Sequence, residues 1–199
     1  VGFCRDLMRL KLAYGIRENR DWESMKQYKL LFVPTAETMA ERDQEALVEL
    51  AKAGVALVLV GHMPKYDEEF KACTVLSNHF RIKPTSESGI GEIEHKSGTF
   101  TSHLFASIKT TDDGKVKKIA KWDQKLVGVC SNRFKGPMYF FTFDIASGGD
   151  HRKLAFVESL LEGEKITPWL RCSDPSVDVS FYGGEKKGVL FVVVPPPGE

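Results

Sequence analysis

The sequence lacks any marked excess of charge of one sign. Its 28 Lys and Arg residues are balanced by 27 Asp and Glu residues, which leaves a formal net charge of +1. Proteins that hold nucleic acid or an anionic membrane surface electrostatically carry a basic excess or a basic stripe. The apolar runs, such as residues 55–60, are also far shorter than the about 20 residues that cross a bilayer. We therefore predict no nucleic acid and no membrane as partners.

Closely spaced cysteines and a glycine-rich fingerprint are missing too. The four cysteines stand far apart, at Cys4, Cys73, Cys130 and Cys172, and none forms a CxxC pair. Zinc sites and phosphate-binding loops need short, regular spacings, so we predict no metal and no cofactor. We interpret the cysteines as free thiols of a reducing compartment, which favours the cytoplasm.

What the sequence does contain is one clear βαβ unit. Residues 29–33 form an apolar run ended by proline, which is typical of a strand buried on both faces. Helical periodicity follows, with Thr35 or Thr38 as the predicted cap, and Gly54 ends it. Residues 55–60 predict a second buried strand. Two strands joined by one helix over so short a span must be parallel, with a right-handed crossover.

Apolar residues at helical spacing predict three more helices. These helices span residues 4–14, 67–78 and 151–161. We expect Gly15 to end the first helix and Asp150 to cap the third. In the second helix, Phe70, Cys73 and Leu76 would point inward.

Beyond Ser86, short alternating runs with many glycines and threonines indicate β-strands. Residues 126–133 and 138–145 predict a hairpin around a Lys-Gly-Pro turn, and its second strand is predicted to be buried on both faces. A second hairpin is predicted near the C-terminus, around Gly183-Gly184.

Five segments follow one another in a recognisable order: CRDLMRLKLAYGI, YKLLFVPTAETMAERDQEALVELAKAGVALVLVG, CTVLSNHF, RFKGPMYFFTFDIA and SDPSVDVSFYGGEKKGVLFVV. This order resembles the accessory region of bacterial β-galactosidase-like glycoside hydrolases related to families 35 and 42. In those proteins a class I glutamine-amidotransferase-like domain of flavodoxin type follows the catalytic barrel and precedes β-sandwich material. The resemblance covers most of the chain.

The resemblance implies an α/β fold with a flavodoxin-like (class I glutamine-amidotransferase-like) parallel sheet. That domain would span residues 1–162, with a β-rich insertion at about residues 85–121, and residues 163–199 would start a β-sandwich. The resemblance also implies that the catalytic carboxylates belong to a barrel outside this sequence. The expected partners are therefore the catalytic barrel of the parent hydrolase and further copies of the chain in a homo-oligomer.

The turn after the second predicted strand is where a domain of this type would carry its nucleophile. An active amidotransferase needs a cysteine on a sharp strand-to-helix turn and a distant His-x-Glu. Here the turn reads Gly61-His62-Met63-Pro64, and the sequence contains no His-x-Glu. We predict no catalytic residue and no amidotransferase activity. His62 is kept as a candidate ligand or base on this strand-edge loop, with a bond to the turn backbone as the alternative.

Two polar clusters have both a chemical and a structural interpretation. Residues 67–69 (Asp-Glu-Glu) offer adjacent carboxylates, which the start of a helix also favours through its dipole. His95 and His103, with Glu92 and Glu94, offer either a metal site of no standard spacing or a solvated sheet face. The structural interpretation is favoured for both.

A carbohydrate site is a candidate at Trp122, Asp123 and Gln124. Sugars are held by an aromatic face with flanking amides and carboxylates, and this stretch offers all three. Trp169 and Tyr182 are further aromatic candidates. The alternative is that Trp122 packs between strands, as large aromatic side chains usually do.

We therefore predict a non-catalytic accessory or oligomerisation module of a β-galactosidase-like glycoside hydrolase acting in carbohydrate metabolism. One alternative is a carbohydrate-binding module with its sugar site near Trp122. The other is a small independent enzyme with an unrecognised site on the strand-edge loops.

Overall fold

A computed structural model describes residues 2–12, 14–16, 21–111, 114–168, 178–183 and 188–193. The helices are α1 (Gly2–Arg9), α2 (Trp22–Met25), α3 (Glu41–Ala53), α4 (Val75–Phe80) and α5 (His151–Gly163). The strands are β1 (Leu30–Thr35), β2 (Ala56–Gly61), β3 (Ile82–Pro84), β4 (Gly89–His95), β5 (Gly98–Leu104), β6 (Ile108–Thr110), β7 (Val116–Trp122), β8 (Lys125–Ser131), β9 (Met138–Phe141), β10 (Asp178–Gly183) and β11 (Gly188–Val193). Within these ranges, no helix has the length and apolar character needed to cross a membrane.

Strands β1 to β9 form one mixed sheet. The order is β1-β2-β9-β8-β7-β4-β5, while β6 pairs with β8 and β3 pairs with β6. β1, β2 and β9 run parallel, and the other pairings of this sheet are antiparallel. The predicted βαβ unit is confirmed, because β1 and β2 are parallel and joined through α3. The mixed α/β class is also confirmed, with parallel pairing among the described strands limited to these three.

Two irregularities bend the sheet where β7 pairs with β8. The register shifts between Lys118 and Ala120 and again between Ala120 and Lys121. Gly128 lies at this point, and a Cβ there would come within 2.8 Å of both the Ala120 Cβ and the Phe141 ring. Glycine permits this close approach, and β-bulges strengthen local twist. The sheet therefore curls in its antiparallel part.

Two hydrophobic cores lie on opposite faces of the sheet. Leu57 and Phe140 belong to one core, together with apolar residues of α3 and α4. Val58 and Phe141 belong to the other core, where the Phe156 ring of α5 lies 5.1 Å from the Phe141 ring. Successive residues of β2 and β9 thus face opposite cores, which confirms the prediction that these strands are buried on both faces.

The first helix is shorter than predicted. α1 ends at Arg9 and not at Gly15, because Lys11 adopts a left-handed φ of 56°. The backbone N–H of Lys11 and that of Leu12 donate to carbonyls of the last turn of α1. The predicted apolar face is correct for Leu7, which is buried.

The prediction for the ends of α3 is wrong at the N-terminus and correct at the C-terminus. Neither Thr35 nor Thr38 caps this helix, since Ala40 occupies the N-cap position without a side-chain bond. Thr38 instead forms a β-bridge with Tyr66, which holds it in extended backbone. The end of α3 is as predicted, because Gly54 adopts a left-handed φ of 113° and closes the last turn.

The predicted helix over residues 67–78 is wrong in its first half. The Asp67 carboxylate accepts the backbone N–H of Glu69 at 2.9 Å and that of Lys71 at 2.8 Å. Such local side-chain bonds compete with helix formation. Residues 66–72 therefore form a tight loop with Phe70 exposed, and α4 begins only at Val75. Two other inward residues of this prediction, Cys73 and Leu76, are buried.

The last predicted helix and both predicted hairpins are confirmed. The Asp150 carboxylate caps α5 by accepting the Arg152 N–H at 2.8 Å. β8 and β9 form one antiparallel hairpin, and β10 and β11 form the other. Trp169, Cys172 and the Tyr182 side chain lie outside the described part of the chain. The division into residues 1–162 and 163–199 stays a prediction.

Candidate functional site

The carboxyl ends of the three parallel strands form one edge of the sheet, where sites in α/β folds usually lie. A Cβ added at Gly61, the last residue of β2, would lie 2.2 Å from the Thr35 carbonyl oxygen. Gly61 also has φ of 130°, so only glycine fits this position without strain. The Thr35 hydroxyl is buried and makes no hydrogen bond within the described part of the chain. Close packing of β1 against β2 therefore leaves no space for a reactive side chain at the end of β2.

His62 follows directly and makes a packing contact. Its half-buried ring lies 5.3 Å from the Phe105 ring, and the His103 ring lies 5.3 Å from the same phenyl group. The His62 backbone N–H donates to the Thr35 carbonyl at 3.1 Å. A general base needs a partner within hydrogen-bond reach. Among the described residues, none makes a hydrogen bond to the His62 ring.

The chain after β2 does not form the strand–turn–helix that activates a cysteine. It runs through the exposed loop of residues 66–72 before α4 begins at Val75. Cys73 is the thiol nearest to this turn in the sequence, and it is only 5% exposed. A catalytic thiolate needs access to substrate and a helix N-terminus or cation close by. The arrangement offers no elbow for a nucleophile at this edge.

An ion pair lies beside His62. Lys65 Nζ lies 2.6 Å from Glu37 Oε1 on the surface. This hydrogen bond and the lysine charge hold the pKa of Glu37 below its ordinary value, and the His62 ring acts weakly in the same direction. Glu37 is therefore an ionised carboxylate at neutral pH and is unsuited to donate a proton.

The three candidate sugar-binding residues lie at the tip of the β7–β8 hairpin. Asp123 and Gln124 have φ of 45° and 63°, the backbone of a tight two-residue turn, and both side chains are exposed. The Trp122 ring is half-buried, and a Cβ at Gly91 would lie 2.1 Å from its Nε1. The Lys125 ammonium lies 5.1 Å from the Trp122 ring centroid. The structure brings the three residues together, with the indole packed on β4 and contacted by a lysine.

The strand pair β4–β5 presents a solvated face. Glu92, Glu94 and His103 are exposed, as the structural interpretation of this cluster expects. No group of three or more His, Cys, Asp or Glu residues within the described ranges could hold a metal ion. His95 is different, because its ring packs against the Phe156 ring at 4.8 Å.

A second concave region, which we call the lysine cleft, lies where α5 crosses β7, β8 and β9. Its volume is about 640 Å³. The floor contains Tyr139, Cys130 and Leu160, and the hydroxyl of Tyr139 donates to Glu164 Oε1 at 2.5 Å. Four lysines line the cleft, together with the carboxylate of Glu94; they are Lys96, Lys117, Lys118 and Lys121.

The titratable groups in the floor of the lysine cleft are neutral. Burial raises the pKa of the Cys130 thiol to about 11, and burial together with the bond to Glu164 raises the pKa of Tyr139. At the side of the cleft, burial and then the charge of Lys96 lower the pKa of His95 to about 4. At neutral pH these groups are a thiol, a phenol and an imidazole. Neither the Cys130 thiol nor the Tyr139 phenol is therefore an activated nucleophile.

The sequence prediction did not identify this cleft. Its residues come from β4, β7, β8, β9 and α5, which are far apart in the sequence. The only signal was the clustering of lysines in β7, VKKIAKW, where they outnumber every other residue type. A strand pattern does not indicate which distant helix will cover the strand, so the lysines of β7 could not be assigned to a cleft from the sequence.

Comparison with known proteins gives one family match over more than half of the chain and further matches over nearly all of it. Residues 2–118 match the family described as GLMA-like, second domain. The β-1,2-glucosyltransferase of Ignavibacterium album is 25% identical over 197 residues, covering 96% of this chain and 27% of that protein.

Two β-galactosidase structures contain the same fold. The cold-adapted enzyme from Rahnella sp. R3 aligns with a TM-score of 0.80 at 12% identity, covering 97% of this chain and 31% of that one. A catalytic mutant of Gan42B, a GH42 β-galactosidase from G. stearothermophilus, aligns with a TM-score of 0.78 at 16% identity, covering 96% and 29%. At such identities the likeness shows the fold alone. The chain thus spans about a third or less of each of these relatives, and the resemblance to an accessory region of β-galactosidase-like hydrolases is confirmed.

Proposed function

We propose that this chain, which belongs to the GLMA-like second-domain family, is a non-catalytic accessory and oligomerisation module. The parent would be a larger β-galactosidase-like glycoside hydrolase, and its catalytic barrel would be the module's first partner. The observation that carries the proposal is coverage: the module accounts for nearly all of this chain and only 29% to 31% of the β-galactosidases that share its fold.

The geometry of the strand edge supports the non-catalytic part of this proposal. Gly61 leaves no room for a side chain, His62 packs on Phe105, and Cys73 is buried. We infer that the fold is of flavodoxin type, like class I glutamine amidotransferases, with a β-rich insertion at about residues 85–121. The parallel trio β1, β2 and β9 supports this inference, as do α3 and α5 on opposite faces.

The test is turnover by the purified chain. We expect no release of nitrophenol from aryl β-galactosides or aryl β-glucosides, and no glutaminase activity, above a buffer blank. Turnover that follows the protein through two separation steps and is abolished by heat would overturn the proposal.

A second candidate concerns the reaction of the parent. The relative from Ignavibacterium album is described as a glucosyltransferase, so the parent would transfer a glucosyl unit to another sugar and not to water. The distinguishing experiment uses the natural polypeptide that contains this sequence. Incubation with an aryl β-glucoside and glucose gives disaccharide if it transfers and only free glucose if it hydrolyses.

A sugar site at Trp122, Asp123 and Gln124 is the alternative function of the module itself. The exposed side chains of Asp123 and Gln124 beside a half-exposed indole support it. Titration with galactose, glucose and their oligosaccharides should then change the tryptophan fluorescence of the wild type and not of the Trp122→Phe variant. An unchanged spectrum with all of these sugars would remove this alternative.

A further inference from the structure

The loop of residues 66–72, which we call the Phe70 loop, presents an aromatic side chain to solvent on a constrained backbone. Phe70 is 75% exposed and has φ of 60°, a left-handed conformation that a bulky residue rarely adopts. Strained backbone persists where the surrounding structure holds it, often at functional positions. Tyr66, at the base of the loop, is 41% exposed.

The Phe70 loop is rigidly built. The Asp67 carboxylate accepts two backbone N–H groups of the loop, and the Asp67 N–H donates to the Lys71 carbonyl at 2.9 Å. Its base pairs with the chain on both sides, through the bridges of Tyr66 to Thr38 and to Ala72. A preorganised loop loses little conformational entropy on binding, and aromatic anchors of this kind dominate protein interfaces.

The surface around the Phe70 loop is acidic. A groove of about 460 Å³ between the loop and the start of α3 is lined by five carboxylates and one arginine, Glu41, Arg42, Glu45, Asp67, Glu68 and Glu69. A partner for this surface therefore needs an apolar recess for the phenyl ring and a basic rim around it.

The lysine cleft has this complementary chemistry. Leu160, Ile119 and Ala120 contribute apolar lining. Four lysines surround these groups, and Lys96, Lys117 and Lys121 make no ion pair with any described residue. The cleft volume lies within the about 300–1,000 Å³ of pockets that enclose drug-sized ligands, which is room for a phenyl ring and its flanking side chains.

We propose that the Phe70 loop of one copy docks into the lysine cleft of a second copy of this chain. The loop belongs to the β1–β2 end of the sheet, and the cleft is lined by β4, β7, β8 and β9. The contact joins two different surfaces, so an open assembly has a free loop at one end and a free cleft at the other until a ring closes. This inference rests on the oligomerisation role proposed above and names the surfaces that carry it.

The first experiment measures self-association of the 199-residue chain by sedimentation equilibrium, from about 10 μM to about 1 mM, which covers micromolar affinities. We expect the wild type to associate and Phe70→Ala to raise the dissociation constant by at least about tenfold, as for an anchor residue. Ile90→Ala is the matched control, because Ile90 is 74% exposed and belongs to neither surface. It should leave the dissociation constant within about twofold.

The second experiment exchanges charge between the two surfaces. The double variants Glu68→Lys/Glu69→Lys and Lys117→Glu/Lys121→Glu should each weaken self-association by at least about tenfold. Mixing the two should restore a complex, because the reversed loop of one variant meets the reversed cleft of the other. Thermal unfolding of each variant establishes that it is folded before mixing.

The outcomes separate this inference from the proposed function. If the wild type associates and neither Phe70→Ala nor the charge reversals change it, the oligomerisation role stands and the docking surfaces are wrong. A wild type that stays monomeric up to the highest concentration overturns both. Folded variants that do not recombine on mixing also overturn the docking of loop into cleft.

Discussion

The loop that follows β9 (residues 142–150) is held to the fold by buried polar bonds, whereas the polar bonds of the Phe70 loop that follows β2 lie in solvent. The Asp6 carboxylate of α1 accepts the Ser147 N–H at 2.7 Å and bonds the Ser147 hydroxyl, with Asp6 only 1% exposed. The Ser102 hydroxyl donates to the Asp144 carbonyl at 2.7 Å. Both loops leave the same edge of the sheet.

The difference shows how one sheet edge is divided between stability and contact. The loop after β9 is bonded to α1 through Asp6 and Ser147 and to β5 through Ser102 and Asp144, and it leads directly into α5. The Phe70 loop is ordered by its own Asp67, without burying the side chain at its tip. A buried polar group destabilises the fold when its partner is removed, while an exposed one is rehydrated by water.

The largest expected effect is a difference in stability between variants of two aspartates, each of which accepts hydrogen bonds from one of the two loops. Asp6→Ala leaves the Ser147 N–H and the Ser147 hydroxyl proton buried without an acceptor, which should lower the free energy of unfolding by about 2–4 kcal/mol. Asp67→Ala also removes an acceptor of two bonds, but water replaces it, and the loss should be about 0.5–1 kcal/mol. Urea unfolding followed by circular dichroism measures both. Equal losses would show that the two loops are held alike.

Local signals account for the parts of the fold that were predicted. The βαβ unit was predictable because the apolar runs of β1 and β2 bracket a helix that Gly54 ends. α5 was predictable because Asp150 precedes its apolar spacing. Each of these elements is determined by neighbours within a few residues.

The Phe70 loop was mispredicted because its sequence has two competing interpretations. Phe70, Cys73 and Leu76 have helical spacing. The Asp67 carboxylate, however, accepts the Lys71 N–H, which a helix beginning at Asp67 would pair with the Asp67 carbonyl. Tyr66 adds bridges to Ala72 and to Thr38, and Thr38 lies far outside this local window. This tertiary pairing favours a loop over a helix at residues 66–72, and hydrophobic periodicity alone does not predict such pairing.

The candidate sites were predictable only as positions on the chain. His62 was expected at the strand edge and lies there, yet its contact with Phe105 depends on pairings with the distant strand β5. The lysine cleft forms only when five elements pack together, so the lysines in the sequence did not indicate where a cleft would lie. The sequence therefore indicated where loops and hairpin turns lie. Which residues their side chains contact depends on packing between elements that are distant in the sequence.

The next prediction compares two glycines, one at the end of β2 and one in the loop after β9. Gly61 and Gly149 have φ of 130° and 104°, where alanine is strained. Gly61→Ala would in addition place Cβ 2.2 Å from the Thr35 carbonyl oxygen, whereas a Cβ at Gly149 meets nothing within 4 Å. Thermal unfolding should show a loss of about 3 kcal/mol for Gly61→Ala and about 1–2 kcal/mol for Gly149→Ala. A smaller loss at Gly61 would mean that β1 and β2 separate readily at this edge.

The smallest expected effect depends on pH and concerns the end of the loop after β9. The Arg152 backbone N–H donates to Asp150 and holds the pKa of that carboxyl below its ordinary value of 3.8. Because the folded-state pKa is the lower one, the stabilisation is fully present above that ordinary value and is lost as the pH falls through the folded value.

At neutral pH, Asp150→Ala should therefore cost about 1 kcal/mol, as for the loss of an N-cap. The difference from the wild type should shrink when urea unfolding is repeated from about pH 7 down to about pH 3. Glu68→Ala in the Phe70 loop is the control, since an exposed carboxylate that caps no helix should change stability by less than about 0.5 kcal/mol. If the difference in free energy of unfolding between the wild type and Asp150→Ala stays constant with pH, the Asp150 side chain stabilises α5 by packing and not as a charged cap. The loop after β9 would then owe its stability to Asp6 and Ser147, and the contrast with the Phe70 loop would rest on buried bonds alone.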